Sequence, residues 1–455
     1  MLRSGLICLT GILLCSRGDV IAADAQPTKP NIIVILTDDQ GTMDAGCYGA
    51  SDIQTPHIDQ LAKRGVRFTQ FYAAAPVCSP SRAGLITGRY PVRAGVPGNV
   101  SSTAGVAGMP PREVTMAETF RAAGYATAHI GKWHLGYSAE TMPLAQGFDT
   151  SFGHMGGCID NFSHFFYWDG PNRHDLHKDG REVHHPGQYF PDLMAQEASQ
   201  FIQANRERPF FLYFAMNGPH YPYQGDPRWL EHYRDLPHPR NLYAAFLSSI
   251  DERIGQLMKS VDDAGLRDRT IVVFQSDHGH SLEERAFRGG GSSGPFRGAK
   301  FSLFEGGIRV PAIISWPGQL PQGEERTQLA HACDWLPTLA KLAGVPLVQP
   351  DIDGLSLLPV IRSATERTPH ETVHWHVGDK AGQWAVRQGD WKLIGNVQDS
   401  SGGELTGTDK QLFLVNLADH KTEPANLAGQ HPEVVKKLSQ LHQDWYSSAA
   451  ASDRK

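Results

Sequence analysis

The chain has 455 residues, with 42 Lys and Arg against 48 Asp and Glu, a net charge of -6 with histidine neutral. Both signs are spread along the chain, which leaves no basic stripe for nucleic acid, although a local cluster of Lys, Arg and His still permits an anionic ligand in one pocket. No apolar run approaches the roughly 20 residues that a transmembrane helix needs, so no membrane span is expected.

Arg3, the apolar run Leu6 to Leu14 and the small residues ending Ala23-Asp24-Ala25 follow the order of a secretory signal, with cleavage near residue 25. The expected location is periplasmic or extracellular, and residues 1–25 are set aside as the signal. Cys8 and Cys15 go with it, leaving Cys47, Cys78, Cys158 and Cys333, too few for a disulfide scaffold. The remaining residues, roughly 430, exceed the usual single-core limit of about 250 to 300, so a large domain over 26–362 and a smaller one over 363–455 are expected.

In chain order, NIIVILT (31–37) has the pattern of a buried strand. Thr55-Pro56 starts a helix that Gly65 ends, and VRFTQFYAA returns as a strand. Ser79-Pro80 caps and starts a helix that Gly88 closes, with Cys78 at its mouth, where free N–H groups favour an anion. Thr115 and Glu118 have capping-box spacing for a helix stopping near Gly124, and YATAHI follows as a strand. PFFLYFAM (209–216), TIVVFQS (270–276) and VPAIISW (310–316) complete the core strands, and Asn241 to Ala264 has a helical apolar period. Strands alternating with helices predict an α/β fold with a large, mainly parallel sheet sandwiched by helices. From about residue 370, TVHWHV, WAVRQGDWKLI and QLFLVNL, then a helix from Pro432, predict a small C-terminal antiparallel sheet with one helix.

Four core strands run straight into polar residues: Asp38-Asp39, Lys132 with His134, His220, and Asp277-His278. Each alone reads as a turn or cap residue or a satisfied histidine. Together they line the carboxyl edge of a parallel sheet, where ligands bind. Their oxygens and one imidazole suit Ca²⁺ or Mg²⁺ better than a metal that prefers thiolates. A helix N-terminus also lowers a thiol pKa, so a plain thiolate nucleophile is one reading of Cys78, though no papain-type signature surrounds it and a thiolate beside a divalent cation and several aspartates would be an odd acyl-transfer site.

CSPSRAGLITGRYP (78–91) resembles the signature of the formylglycine-dependent sulfatases, C-x-P-S-R with a Leu-Thr-Gly-Arg-type ending. DDQGTMDAGCYG, GKWHLG, GPH, SDHG and FRGAKFSLFEGGIRVP stand in that family's order, and the resemblance runs from about residue 30 to 445. It implies the alkaline phosphatase-like fold and a sulfuric ester hydrolase. It also implies that a formylglycine-generating enzyme oxidises Cys78 to an aldehyde whose hydrate attacks sulfur, the sulfated hemiacetal then collapsing to release sulfate. By the same resemblance Asp38, Asp39, Asp277, His278 and the modified Cys78 hold the metal, Ca²⁺ before Mg²⁺; many relatives carry Asn where His278 stands. Arg82 and Lys132 would hold the hydrate, His134 would trigger sulfate elimination, and His220 and Lys300 would face the ester oxygens, with His220 as acid for the leaving alcohol.

The insertion from Gly156 to His185 interleaves aromatic and hydrogen-bonding residues, and Asp160, Asn161 and His164 are the expected contacts to a sulfated saccharide. Asn99-Val100-Ser101 and Asn161-Phe162-Ser163 fit the glycosylation sequon, as do many unmodified sites. Two other readings stay open: a phosphonate monoester or phosphodiester hydrolase of the same superfamily, and a non-catalytic glycan-binding protein with unmodified Cys78.

Overall fold

The computed structural model describes Met1 and residues 29–168, 172–405 and 407–452; the expected signal, Met1 apart, lies outside the described residues. Its centre is a ten-stranded sheet in the order Glu324–Arg326, Gly65–Phe68, Ala312–Ser315, Thr270–Ser276, Asn31–Thr37, Phe210–Ala215, Ala126–Lys132, Thr150–His154, His177–Lys178, Arg181–Glu182. The five strands from Thr270–Ser276 to Thr150–His154 run parallel.

Asn31–Thr37 is buried along its whole length because both faces of the sheet are covered. Ile32, Val34 and Leu36 enter one core with Phe68, Phe120 and Trp335, while Ile33 and Ile35 enter the other with Phe246 and Ile250. That alternation is the period of a strand between two helical layers. Arg240–Asp263 and Phe190–Ala204 belong to the second layer, and Cys78–Thr87, Met116–Ala122 and Trp335–Ala343 to the first.

The Thr115 capping box forms as its spacing predicts: Glu118 N–H donates to Thr115 Oγ1 at 3.1 Å, and Thr115 N–H to Glu118 Oε2 at 2.8 Å. Gly88 closes its helix in the left-handed region, φ 67°. Three elements differ from the sequence reading. VRFTQFYAA breaks after Thr69, whose N–H makes the last bond to Arg326 O, into Gly65–Phe68, in the large sheet, and Phe71–Tyr72, which pairs with Ala330–His331. Ala312–Ser315 enters antiparallel to both of its neighbours. The helix expected from Ser79-Pro80 starts at Cys78, with extended Val77 as its N-cap, and Pro80 is tolerated in the first turn because no intrahelical acceptor is lost there.

The C-terminal sheet is antiparallel, in the order Thr372–Val377, Gln383–Gln388, Trp391–Gly395, Leu412–Asn416. One face packs Val386, Leu393 and Leu414 under the helix Pro432–Ser452, through Leu438. The other packs Val373, Trp375, Ile394 and Phe413 against Tyr72, Leu303 and Phe304 of the large domain. Among the described residues no helix is long and apolar enough to cross a membrane.

Candidate active site

Parallel register sets the floor of the site. Thr37 pairs with Ser276, Leu36 with Ala215, and Ala215 with Gly131, so the strands end level and Asp38, Asp277 and Lys132 emerge side by side. Lys132 Nζ donates to Asp38 Oδ2 at 2.6 Å, and Arg82 Nη2 donates to Asp277 Oδ2 at 2.9 Å and lies 3.5 Å from Asp38 Oδ2. All four side chains are fully buried. Asp39 turns into the left-handed region, φ 62°, which carries its carboxylate past the strand axis toward Lys300, whose Nζ is 3.1 Å away.

Cys78 heads the buried helix above this floor. Asn99 Oδ1 accepts the Ser79 N–H at 3.0 Å, and Ser79 Oγ accepts the Val100 N–H at 3.1 Å, so the 99–100 loop supplies the acceptor that Val77 lacks. Cys78 Sγ lies 3.4 Å from His278 Nε2 and 3.9 Å from Asp38 Oδ1. Burial works to raise the thiol pKa, but Lys132 and Lys300 outweigh it and hold the group well below the ordinary thiol range.

The donor set fits a hard divalent cation. Asp38, Cys78, Asp277 and His278 each present a ligand atom within 4.8 Å of the others. Asp39 Oδ1 is buried without a hydrogen bond, 3.5 Å from His278 Nδ1. Burial pushes Asp39 up to about 8 and Asp277 up to about 6, and the charge of Asp38 adds to both. Asp38 itself, though buried, is held well below the ordinary carboxylate range by Lys132 and Arg82. Crowded carboxylates of this kind are what a divalent cation relieves. His278 Nδ1 faces Gly279 O at 3.0 Å, a partner that holds a proton on Nδ1 and turns Nε2 toward Cys78. Burial disfavours a charge on this ring, but Asp277 and Cys78 prevail and raise it to about 9.

Two more histidines close the site. His134 stands in the left-handed region, φ 52°, with its ring over Gly157, where a Cβ would come within 2.8 Å of Cε1, so glycine is required there. Burial lowers its pKa against the opposing pull of Cys78, and its Nδ1 has no hydrogen bond. His220 Nδ1 faces Tyr221 O at 2.6 Å, leaving Nε2 3.8 Å from Asp39 Oδ2. Burial and then the charge of Lys300 push His220 down to about 3. Lys300 itself bridges Asp39 and Glu283, the latter at 3.2 Å.

A loop of the C-terminal sheet clamps the Lys300 segment. Ser400 Oγ donates to Ala299 O at 3.0 Å and is the acceptor for Ala299 N–H at 3.1 Å, while Asp399 Oδ2 takes the Arg297 guanidinium at 2.6 Å.

Above the floor lies a cavity of about 220 Å³ lined by Cys78, His134, His220 and Lys300 and walled by Asn99, Ser101, Ser102, Gly157, Cys158, Phe166, Trp168, Glu283 and Phe301. Burial raises Cys158 to about 11, so it is no rival thiolate. Asp160, Asn161 and His164 do not line this cavity, which corrects the expectation placed on them. Asp160 Oδ1 accepts from Phe162 N–H and Ser163 N–H, and its Oδ2 from Gln224. Asn161 is fully buried, donating to Gln224 and accepting from Asn217. His164 is buried in the left-handed region against Gln188 O. Asp160 and Asn161 tie the insertion to the loop after Phe210–Ala215, and His164 ties it to Gln188; Gly157, Cys158, Phe166 and Trp168 are its residues that reach the cavity.

Sequence reasoning missed Asn99 and Glu283. Asn99 carried only a sequon, and its true signal, that it caps the Cys78 helix from 20 residues away, is tertiary. Glu283 follows a core strand by a loop long enough to carry no pattern.

A family profile described as Sulfatase matches residues 30–345, and one described as N-sulphoglucosamine sulphohydrolase, C-terminal, matches 297–441. The chain is 35% identical to human Arylsulfatase A over 454 residues, covering 90% of this chain and 87% of that protein. It is 36% identical to human N-acetylgalactosamine-6-sulfatase over 363 residues, 75% of this chain and 67% of the other. The solved structure of Ps i-CgsB in complex with k-i-k-neocarrahexaose superposes with a TM-score of 0.82 at 29% identity, covering 92% of this chain and 93% of the other.

Proposed function

The chain belongs to the sulfatase family, whose members are sulfuric ester hydrolases, and from that premise we propose an exported sulfatase acting on a sulfated carbohydrate. In this reading Cys78 is matured to formylglycine by a separate modifying enzyme, and Asp38, Asp39, Asp277, His278 and residue 78 hold Ca²⁺ in preference to Mg²⁺. One juxtaposition carries it: Cys78 heads a buried helix, 3.4 Å from His278 and 3.9 Å from Asp38, with Lys132 and Arg82 behind the carboxylates. Bound there, the aldehyde hydrate supplies an oxygen nucleophile, and the cation supplies positive charge to it and to the sulfuryl oxygens.

The chain's own residues do the rest. Lys132 and Arg82 fix the carboxylates and bring two cations to residue 78, and Lys300 meets the oxygens of the incoming sulfate. His134, kept neutral by burial, takes the proton from the second hydroxyl of residue 78 so that sulfate can leave. His220 has Nδ1 committed to the Tyr221 carbonyl, so Nε2 is the atom that carries a proton to the leaving alcohol. A bound sulfate opposes the repulsion from Lys300, which couples that protonation to substrate binding.

The carbohydrate assignment is supported by two relatives, a solved structure named as an oligosaccharide complex and a protein named as an N-acetylgalactosamine-6-sulfatase. It is also supported by Phe166, Trp168 and Phe301 around the cavity.

The test is the mass of the tryptic peptide Phe68 to Arg82 from natively produced protein, with kcat/KM on 4-nitrophenyl sulfate and 4-nitrophenyl phosphate. Loss of one sulfur and two hydrogens with gain of one oxygen at residue 78, and preference for the sulfate ester, are expected. Cys78→Ala should reduce sulfate hydrolysis by on the order of 10⁴-fold or more. An unmodified thiol in active protein would overturn the nucleophile, and preference for the phosphate ester would move the assignment to a phosphoryl substrate.

A further inference from the structure

The catalytic cavity is small for a carbohydrate chain. About 220 Å³ accommodates one sulfated ring and little more, below the usual 300 to 1,000 Å³ of a site that engulfs its ligand. Its wall continues outward. Trp168 and Glu283 line both this cavity and a second cleft of about 740 Å³, whose other walls are the loop 282–288 and Ser400-Ser401-Gly402. The two spaces therefore adjoin at Trp168 and Glu283, so the neighbour of a ring seated over Lys300 is brought to the border of the outer cleft.

The two spaces differ in how their cations are balanced. Over the floor, Lys132, Arg82 and Lys300 each meet a carboxylate. At the seam, the Arg285 guanidinium lies 4.3 Å from the centre of the Trp168 ring and has no carboxylate partner among the described residues. Trp168 is itself 38% exposed and rests on Tyr221, so the guanidinium is held over an aromatic ring that is held in turn. Its planar fork of donors is presented to solvent, pre-organised for a planar or tetrahedral oxyanion. Arg288, by contrast, faces Glu284 at 3.5 Å, which leaves Arg285 as the cation of the cleft without a carboxylate partner among the described residues.

Another part of the cleft wall, Ser400-Ser401-Gly402, is polar and fixed. Ser401 Oγ donates to Asp399 Oδ1 at 2.5 Å and accepts Gly298 N–H at 3.2 Å, and Ser400 is tied to Ala299. A polar wall braced by hydrogen bonds and an aromatic-backed cation in one cleft make a surface for a hydroxylated ligand that carries negative charge.

We propose that the outer cleft is a second saccharide subsite, in which Arg285 on Trp168 binds an anionic substituent, a sulfate ester or a uronate carboxylate, of the sugar next to the one being desulfated. The substrate is then an anionic oligosaccharide or polysaccharide, not a free sulfated monosaccharide. This rests on the sulfatase reading and narrows it.

Two measurements separate the subsite from that reading. The first is binding of a κ-carrageenan hexasaccharide, whose only anions are sulfates, and of a chondroitin 6-sulfate hexasaccharide, which adds carboxylates, to the Cys78→Ala protein by calorimetry, with Arg285→Ala and Arg285→Lys introduced on that background. At least one hexasaccharide should bind, about tenfold more weakly to Arg285→Ala and with partial recovery in Arg285→Lys. If chondroitin alone responds, the carboxylate is the group recognised. The second is kcat/KM of the mature enzyme and its Arg285→Ala variant on the hexasaccharide that binds and on 4-nitrophenyl sulfate; the ratio of the two should fall about tenfold in the variant. Failure of both hexasaccharides to bind, or an equal effect of Arg285→Ala on long and short substrates, overturns the subsite while 4-nitrophenyl sulfate turnover leaves the sulfatase reading standing. Loss of 4-nitrophenyl sulfate turnover by the unaltered mature enzyme counts against the sulfatase reading, and the binding measurement still decides the subsite.

Discussion

Lys300 and Glu305 are five residues apart and belong to two clusters of buried charge with opposite characters. In the first, at the strand ends, each carboxylate meets a cation but polar capacity is left over: Asp39 Oδ1 accepts no hydrogen bond, His134 Nδ1 makes none, and a cavity opens above them. In the second, between the large domain and the C-terminal sheet, Lys392 Nζ donates to Glu305 Oε1 at 2.8 Å and to Glu423 Oε1 at 3.0 Å. Glu305 Oε2 takes the Tyr72 hydroxyl at 2.7 Å, Glu423 Oε2 takes the Glu305 N–H at 2.6 Å, and both acids are fully buried. Burial of charge alone therefore does not mark a site. Spare capacity facing a cavity does, whereas a cluster that saturates itself holds two domains in register.

The difference is sharpened most by removing the lysine from each cluster. Lys132→Met takes a cation away from residue 78 and from Asp38, and kcat/KM on 4-nitrophenyl sulfate should fall by on the order of 10² to 10³. An effect under tenfold would mean that the floor is structural like its neighbour. Lys392→Met leaves Glu423 buried without a cation and Glu305 with Arg309 alone, which should lower stability to thermal or urea unfolding by about 3 to 5 kcal/mol, with activity per folded molecule within about threefold of the parent. If activity is lost while stability holds, the two clusters are coupled through residues 300–305 and the contrast fails.

A third and smaller effect comes from a buried group in neither cluster. Burial pushes His129 down to about 3, with its Nδ1 against Ser151 Oγ at 3.0 Å. Its ordinary value is near 6.5, so below that pH the unfolded chain takes up a proton that the folded chain refuses. Its contribution to stability is complete above about pH 6.5 and is lost as pH falls toward 3. Unfolding free energies of His129→Gln and the parent should converge by about 1 kcal/mol between pH 6.5 and 5.5, relative to their separation above pH 7. A separation that does not change with pH would show that His129 is charged in the folded state.

Much of this was legible locally. Asn31–Thr37 and Thr270–Ser276 carry unbroken apolar runs, Ile32 to Leu36 and Ile271 to Phe274, which point to a strand buried on both faces, so the residues that follow them emerge at the sheet edge. Thr115 with Glu118, and Gly88, mark helix ends through bonds and dihedrals a few residues apart, so their spacing sufficed. The insertion was not legible in the same way. Asp160, Asn161 and His164 are as polar as any ligand-binding residues, and only the positions of Gln224, Asn217 and Gln188 decide that their bonds are spent internally.

By itself, then, the sequence determined the strand–helix alternation, the acids and bases at the strand ends, and the cysteine at a helix mouth, because each depends on neighbours within about one turn or one strand. The tertiary structure alone decided that Asn99 caps that helix, that Ser400 and Asp399 brace the Lys300 segment from the C-terminal sheet, and that Arg285 lies over Trp168 with no carboxylate partner among the described residues. These depend on distances between segments 20 to 117 residues apart, since whether a polar group is satisfied or left free is a property of what packs against it.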